Sequence, residues 1–145
     1  MVFPDRVGAA DFDGDGRPDV VVTEENGEAD GAHAYWWSNP GEGEAEWARH
    51  EITARGSLNS LSVNDMDGDG RPDLVMGEHR GDLRLSIWHN LGGGRFVEQL
   101  VGDGVESHLG AATVDLDGDG RLDIVSIAWD SPEKIRVFRN AGGEE

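Results

Sequence analysis

Aspartates are the residues of this sequence whose spacing could do chemistry, and they recur in three similar loops. The loops read DFDGDGRPDV at 11–20, DMDGDGRPDL at 65–74 and DLDGDGRLDI at 115–124. In each loop, aspartates occupy positions 1, 3, 5 and 9, and a glycine occupies position 6. Glycine permits the sharp bend that turns the first three carboxylates toward one centre. The pattern therefore predicts an oxygen-rich site in each loop.

The predicted site is an all-oxygen cage for a hard cation. The backbone carbonyl of the arginine at position 7 can face the same centre, and the aspartate at position 9 closes the cage. Such a cage suits Ca²⁺ better than Zn²⁺ or copper, and Mg²⁺ dehydrates too reluctantly to favour a dedicated protein cage. We therefore expect about three Ca²⁺ ions, one in each loop. The predicted ligands are Asp11, Asp13, Asp15, Arg17, Asp19, Asp65, Asp67, Asp69, Arg71, Asp73, Asp115, Asp117, Asp119, Arg121 and Asp123.

A helical calcium loop of the EF-hand type is the obvious rival for this spacing. It requires a bidentate glutamate at position 12 and flanking helices. Position 12 is instead Val22, Met76 or Ser126, and the residues after each loop are β-branched or otherwise apolar. The EF-hand interpretation is therefore rejected, and a plain acidic turn without an ion is the alternative. We expect a structural rather than a regulatory ion, because each loop connects two consecutive predicted β-strands.

The composition excludes several classes of partner. The chain has 145 residues, with 12 basic residues against 30 acidic ones and a formal net charge of −18. Nucleic acids and anionic membrane surfaces attract basic proteins, so neither is an expected partner. No apolar run approaches the roughly 20 residues that cross a bilayer. The absence of cysteine excludes disulfides and thiolate metal sites. The first residues have no signal-peptide pattern, so they do not identify a compartment.

A second landmark shows that the loops belong to a longer internal repeat. Asn39, Asn90 and Asn140 each follow an aromatic residue by two positions and precede a glycine by two. The first two copies contain four short apolar segments and the third contains three, which predicts four-stranded antiparallel units in an all-β chain. We place them at about 5–56, 57–104 and 105–145 of one segment covering 1–145. The third unit lacks its fourth, outer strand.

These residues resemble the FG-GAP/VCBS repeats of calcium-binding β-propellers, which also form the heads of integrin α-subunits. The resemblance rests on the three D-x-D-x-D-G-x-x-D loops and covers nearly the whole chain. It implies propeller blades, structural calcium and an extracellular or cell-surface location. Propellers close with four to eight blades, so three units predict part of a larger propeller or a ring completed by self-association.

The end of the blades opposite the acidic loops carries the richest set of other polar and aromatic residues. Loops held by a rigid scaffold often carry binding residues. We therefore expect a glycan or protein ligand to bind there. The candidate ligand-binding residues are Glu78, His79, Arg80, Glu106, His108 and Trp129.

The sequence thus favours a non-catalytic module for extracellular recognition or adhesion. One alternative is part of a carbohydrate-active propeller enzyme, a lyase or hydrolase, with His79 and His108 as general bases on the calcium-free face. Another is a purely architectural fragment that assembles with itself. No nucleophile elbow, phosphate loop or histidine–carboxylate metal motif supports catalysis, and fold alone does not fix function.

Overall fold

Three antiparallel β-sheets make up the described part of the chain. The structure, a computed structural model, describes residues 1–26, 31–43, 46–104, 108–130 and 133–142. Sheet order follows chain order in every sheet. Blade 1 contains β1 (Val2–Ala10), β2 (Asp19–Asn26), β3 (Ala32–Ser38) and β4 (Ala48–Arg55). Blade 2 contains β5 (Leu58–Asn64), β6 (Asp73–Glu78), β7 (Leu85–Asn90) and β8 (Phe96–Gly102). Blade 3 contains β9 (His108–Val114), β10 (Asp123–Ala128) and β11 (Ile135–Phe138).

This architecture confirms the all-β prediction. The sheets have four, four and three strands, so the third blade lacks an outer strand among the described residues, as expected. No helix in the described ranges is long and apolar enough to cross a membrane. The arrangement is consistent with part of a propeller.

The inner strand of blade 1 continues across Pro4, although proline is uncommon within strands. In the structure, β1 starts at Val2, and residues 2–4 pair with residues 24–26 of β2. An irregularity between Pro4 and Arg6 shifts the register at that point. Such a bulge lets a proline remain in an edge strand.

Apolar side chains fill the space between consecutive blades. One core cluster joins blade 1 to blade 2 and includes Phe12, Trp36, Leu74 and Trp88. A second joins blade 2 to blade 3 and includes Met66, Val75, Leu85 and Ile124. All six residues of β6 are buried because its sheet is covered on both faces. A strand covered on both faces carries apolar residues continuously rather than alternately.

Inner strands of neighbouring blades approach closely, and this separation requires small residues at some positions. A Cβ atom added to Gly8 would lie 2.7 Å from Val63 Cγ2 of the next blade. Ser62 Oγ donates a 2.8 Å hydrogen bond to the Ala111 carbonyl of blade 3. Only residues with small side chains permit this separation at the inner edge.

Candidate metal centre

Each acidic loop is wound around the carboxylate at its first position. In the first loop, Asp11 Oδ1 accepts hydrogen bonds from the backbone N–H groups of Gly14 (2.8 Å) and Asp15 (3.1 Å). Asp11 Oδ2 accepts a 2.8 Å hydrogen bond from the Gly16 N–H. Gly14 and Gly16 have φ values of 84° and 87°, where L-residues with side chains are strained. The two glycines therefore allow the turn.

The same winding brings the first three aspartates of every loop together. In each triad, one oxygen from each carboxylate lies within 4.8 Å of the others. The triads are Asp11, Asp13 and Asp15; Asp65, Asp67 and Asp69; and Asp115, Asp117 and Asp119. Each triad could hold a metal ion. The donors are all carboxylate oxygens, which are the ligands that Ca²⁺ prefers, so the donor chemistry fits the predicted ion.

The aspartate at position 9 lies beneath the loop rather than on its rim. Asp19 is fully buried, and its two oxygens accept hydrogen bonds from the backbone N–H groups of Phe12 (2.9 Å) and Asn39 (2.8 Å). Asp73 and Asp123 make the corresponding bonds in the other two loops. These carboxylates join their loop to the turn after the third strand. Their predicted role as metal ligands stays a prediction.

The arginine at position 7 contributes more than its backbone. Arg17, Arg71 and Arg121 each form an ion pair with the aspartate at position 5 of their own loop. Each also donates from Nε to the backbone carbonyl of the landmark asparagine. The guanidinium group therefore fixes the loop against the turn that follows the third strand and offsets part of its negative charge. Whether the arginine carbonyls bind an ion stays a prediction.

The landmark asparagines connect one blade to the next, a role that the sequence analysis missed. Asn90 Nδ2 donates a 2.9 Å hydrogen bond to the Phe12 carbonyl in the loop of blade 1. Asn140 Nδ2 donates a 3.0 Å hydrogen bond to the Met66 carbonyl in the loop of blade 2. The sequence signal for this role was the position of these asparagines, because Asn90 and Asn140 lie at the same distance from the acidic loops of their repeats. The acidic loops and the blade interfaces are therefore one structural unit.

The residue before each landmark asparagine differs between the three blades. Position 38 is serine, position 89 is histidine and position 139 is arginine. His89 Nδ1 lies 3.4 Å from Asp67 Oδ2 and 3.3 Å from Asp73 Oδ2. Arg139 Nη1 lies 3.1 Å from Asp117 Oδ2 and 2.8 Å from Asp123 Oδ2. The three loops therefore have serine, histidine and arginine, respectively, beside their carboxylates.

The pKa values of the carboxyl groups beneath the second and third loops shift in opposite directions. Burial raises the pKa of Asp73, against the lowering effect of hydrogen bonds from the backbone N–H groups of Asn90 and Met66. The hydrogen bond from the Asn140 N–H is the largest cause that lowers the pKa of Asp123, and Arg139 lowers it further. An adjacent guanidinium favours the ionised carboxylate.

At the opposite end of the blades, the structure brings together only some of the candidate ligand-binding residues. Trp129 is 66% exposed, and its ring meets the His79 ring edge-on at 6.0 Å. Arg80 directly follows His79 in the sequence and is exposed. His108 is buried, and its Nδ1 lies 2.9 Å from Ser126 Oγ. Glu106 lies outside the described residues.

Glu78 is buried at the end of β6, with only 2% of its surface exposed. Its Oε2 accepts a 3.3 Å hydrogen bond from the Arg84 N–H. Burial raises the pKa of Glu78 to about 7, although Arg55 opposes the shift. A carboxyl group with this pKa keeps much of its proton up to neutral pH. Glu78 therefore affects how the stability of the fold depends on pH, besides being a candidate ligand-binding residue.

We expect Glu78 to make stability fall as the pH rises from about 4.5 to about 7. In that window the unfolded chain loses the Glu78 proton while the folded chain keeps it, so deprotonation favours unfolding. Glu78→Gln removes this titration. The unfolding free energy of the variant minus that of the unmodified protein should therefore be about 1 to 3 kcal/mol larger above pH 7 than at pH 5. Urea unfolding of both proteins across this range measures the difference. A difference that does not change with pH contradicts the prediction.

Comparison with known proteins agrees with this geometry. A family model for the FG-GAP-like repeat matches residues 11–76 and, in a second overlapping copy, residues 65–126. No curated protein matches the chain. The two matches begin at the first aspartates of the first and second loops, and together they cover most of the sequence. The chain therefore belongs to the FG-GAP-like repeat family.

Proposed function

We propose that this protein is a calcium-stabilised, non-catalytic recognition module that works outside the cell. The observation that carries the proposal is the threefold carboxylate triad, in which three separate loops present the same oxygen donors. The first two loops also accept a hydrogen bond from the next blade, so an ion in either loop would stabilise the packing of the blades. FG-GAP repeats are typical of extracellular proteins, and millimolar external calcium would fill even weak sites.

Titration calorimetry of the chelator-treated protein tests calcium binding. We expect about three Ca²⁺ ions per chain, with much weaker binding of Mg²⁺. The variants Asp13→Asn, Asp67→Asn and Asp117→Asn should each remove one ion. Asparagine can still accept the backbone hydrogen bond that these aspartates accept at position 3, so the loop should keep its shape.

The control for these variants is Asp103→Asn, which removes one negative charge from an exposed position outside the loops. It should leave the number of bound ions unchanged. Calcium binding that is equally reduced by the control and by the loop variants would indicate diffuse attraction to an acidic surface. That result would remove the basis of the proposal.

The guanidinium group of Arg139 should weaken calcium binding in the third loop. It contacts the carboxylates of Asp117 and Asp123, and a cation would have to share them with it. In a background where Asp13→Asn and Asp67→Asn silence the other loops, Arg139→Gln should tighten calcium binding about three- to tenfold. Arg49→Gln removes the same charge near Tyr35 instead, and it should have no effect. Equal affinities for the two variants would contradict the prediction.

The recognition surface is proposed at the end of the blades opposite the loops, around Trp129 and His79. The exposed indole ring suits stacking against a sugar or an apolar side chain. Glycan-array binding that Trp129→Ala abolishes would support this surface. Trp47→Ala alters another exposed tryptophan, in blade 1, and should leave binding intact. An equal loss of glycan binding in both variants would count against this surface. So would an unmodified protein that binds neither glycans on the array nor protein ligands.

A further inference from the structure

The two interfaces between blades follow one pattern, and it defines two faces of each blade. The forward face of a blade is the one that packs on the next blade in sequence. In blade 1 it includes Phe12, Val21 and Trp36, and all three are buried against blade 2. The corresponding residues of blade 2, Met66 and Val75, are buried against blade 3. The backward face is the opposite side of each sheet.

The forward face of blade 3 has the same apolar character, but no described residue covers it. Leu116 occupies the position of Phe12 and Met66 in its loop, and it is 44% exposed where they are 1% and 4% exposed. Ile127 and Val137 are 47% and 46% exposed on the same face. They share it because Val137 pairs with Val125, two residues before Ile127 on β10. This face is therefore an interface surface without a described partner.

The backward face of blade 1 is the complementary surface. In blade 2, the backward face carries Leu61 and Met76, which pack on blade 1. The equivalent positions in blade 1 are Val7 and Val22, which pair with each other across β1 and β2. Val7 is 73% exposed. The backward face of blade 1 thus offers apolar residues where blade 2 uses them for packing.

The hydrogen bonds between blades point the same way. Asn90 and Asn140 each donate to the carbonyl at position 2 of the preceding loop. Asn39, the first landmark asparagine, donates to the Pro18 carbonyl within its own blade. Asn140 makes the equivalent bond to the Leu122 carbonyl in addition to its bond to blade 2. In the described ranges no side chain donates to the Leu116 carbonyl, which is the position-2 carbonyl of the third loop. Within the part of the chain that the structure describes, Asn39 in blade 1 therefore has no acceptor on another blade, and the Leu116 carbonyl in blade 3 has no side-chain donor, so the two groups are complementary.

We propose that the forward face of blade 3 binds the backward face of blade 1 of a second copy of this chain. The contact is head to tail, and it repeats the two internal interfaces with Asn39 donating to the Leu116 carbonyl. Both halves of the interface lie on the same chain, so a second copy can present to each of these two faces the surface that it matches. Two forward faces placed together would have apolar surface but no asparagine to bond the carbonyl. The inference rests on apolar packing and hydrogen bonds between blades and does not depend on calcium.

The test blocks one face at a time. Leu116→Glu places a charge on the forward face of blade 3, and Val7→Glu places one on the backward face of blade 1. In sedimentation equilibrium we expect the unmodified protein to associate and each variant alone to remain at 15.7 kDa. A mixture of the two variants should form a complex of twice that mass, because each variant keeps the face that the other lacks. Leu91→Glu changes an exposed residue of a turn and should associate like the unmodified protein.

Circular dichroism of each variant, with calcium and with chelator, confirms that the blades stay folded. A monomeric unmodified protein overturns the proposal. So does a mixture that stays at 15.7 kDa, or a Leu91→Glu control that fails to associate. Failure of calcium binding with restored pairing in the mixture would leave this inference intact, so the two proposals fail separately.

Discussion

Gly94→Ala is expected to disrupt the contact between blades 1 and 2. Gly94 lies in the turn between β7 and β8, and its N–H donates a 3.0 Å hydrogen bond to the Phe12 carbonyl. An added Cβ atom would lie 2.1 Å from Trp36 Cζ2, on a ring that is 4% exposed and held in the core. Its φ of 67° adds strain for any L-residue with a side chain. Overpacking and strain together should cost about 2 to 5 kcal/mol.

The neighbouring glycine provides a matched control for this prediction. Gly93 has a φ of 63°, and nothing lies within 4 Å of the Cβ atom that alanine would add. Gly93→Ala should therefore show only the backbone strain, about 1 to 2 kcal/mol. Urea unfolding measures both losses. A Trp36→Leu background should recover part of the Gly94→Ala loss, and equal losses for the two glycine variants would contradict the account.

Asp73→Ala is the second substitution with a large expected effect. The buried carboxylate accepts hydrogen bonds from the backbone N–H groups of Met66 (2.9 Å) and Asn90 (2.8 Å). Removal of the carboxylate leaves two buried donors without partners, at a cost of about 2 to 5 kcal/mol. The loss should persist after chelation, because these hydrogen bonds involve no ion.

Asp69→Ala separates this role from metal binding. Asp69 lies on the exposed rim of the same loop and pairs with Arg71. Its replacement should lower stability in calcium and make little difference after chelation. The exposed ion pair contributes only about 0 to 1 kcal/mol, and water can replace the exposed hydrogen bond from the Arg71 N–H. Urea unfolding of both variants with and without chelator gives the comparison. If the Asp73→Ala loss also vanished on chelation, the structural role of Asp73 would be refuted.

The sequence was sufficient to predict the fold because the repeat signal is strong and local. The acidic loops, the glycines and the apolar segments recur together, and each unit closes its own sheet. The length of β1 was not predictable in the same way. Pro4 ordinarily ends a strand, and the irregularity between Pro4 and Arg6 that accommodates it arises from pairing with β2.

The candidate site was predictable in its acidic residues but not in its connections. The spacing of the aspartates predicts where carboxylates converge, because a tight turn decides that locally. The hydrogen bond from Asn90 to the Phe12 carbonyl joins residues 78 positions apart, so only the packing of the blades reveals it. The burial of Asp19 and Glu78 likewise depends on neighbouring strands and turns. Short patterns in the sequence do not contain such contacts.

Thermal unfolding with and without a chelator tests the central claim most directly. If the acidic loops bind calcium and stabilise the blades, excess Ca²⁺ should raise the melting temperature well above its value in chelator, and Mg²⁺ should not replace it. Bound ions stabilise the folded state in proportion to RT ln(1 + [L]/Kd), so the shift should grow with Ca²⁺ concentration. A melting temperature that is the same in calcium and in chelator would contradict the account.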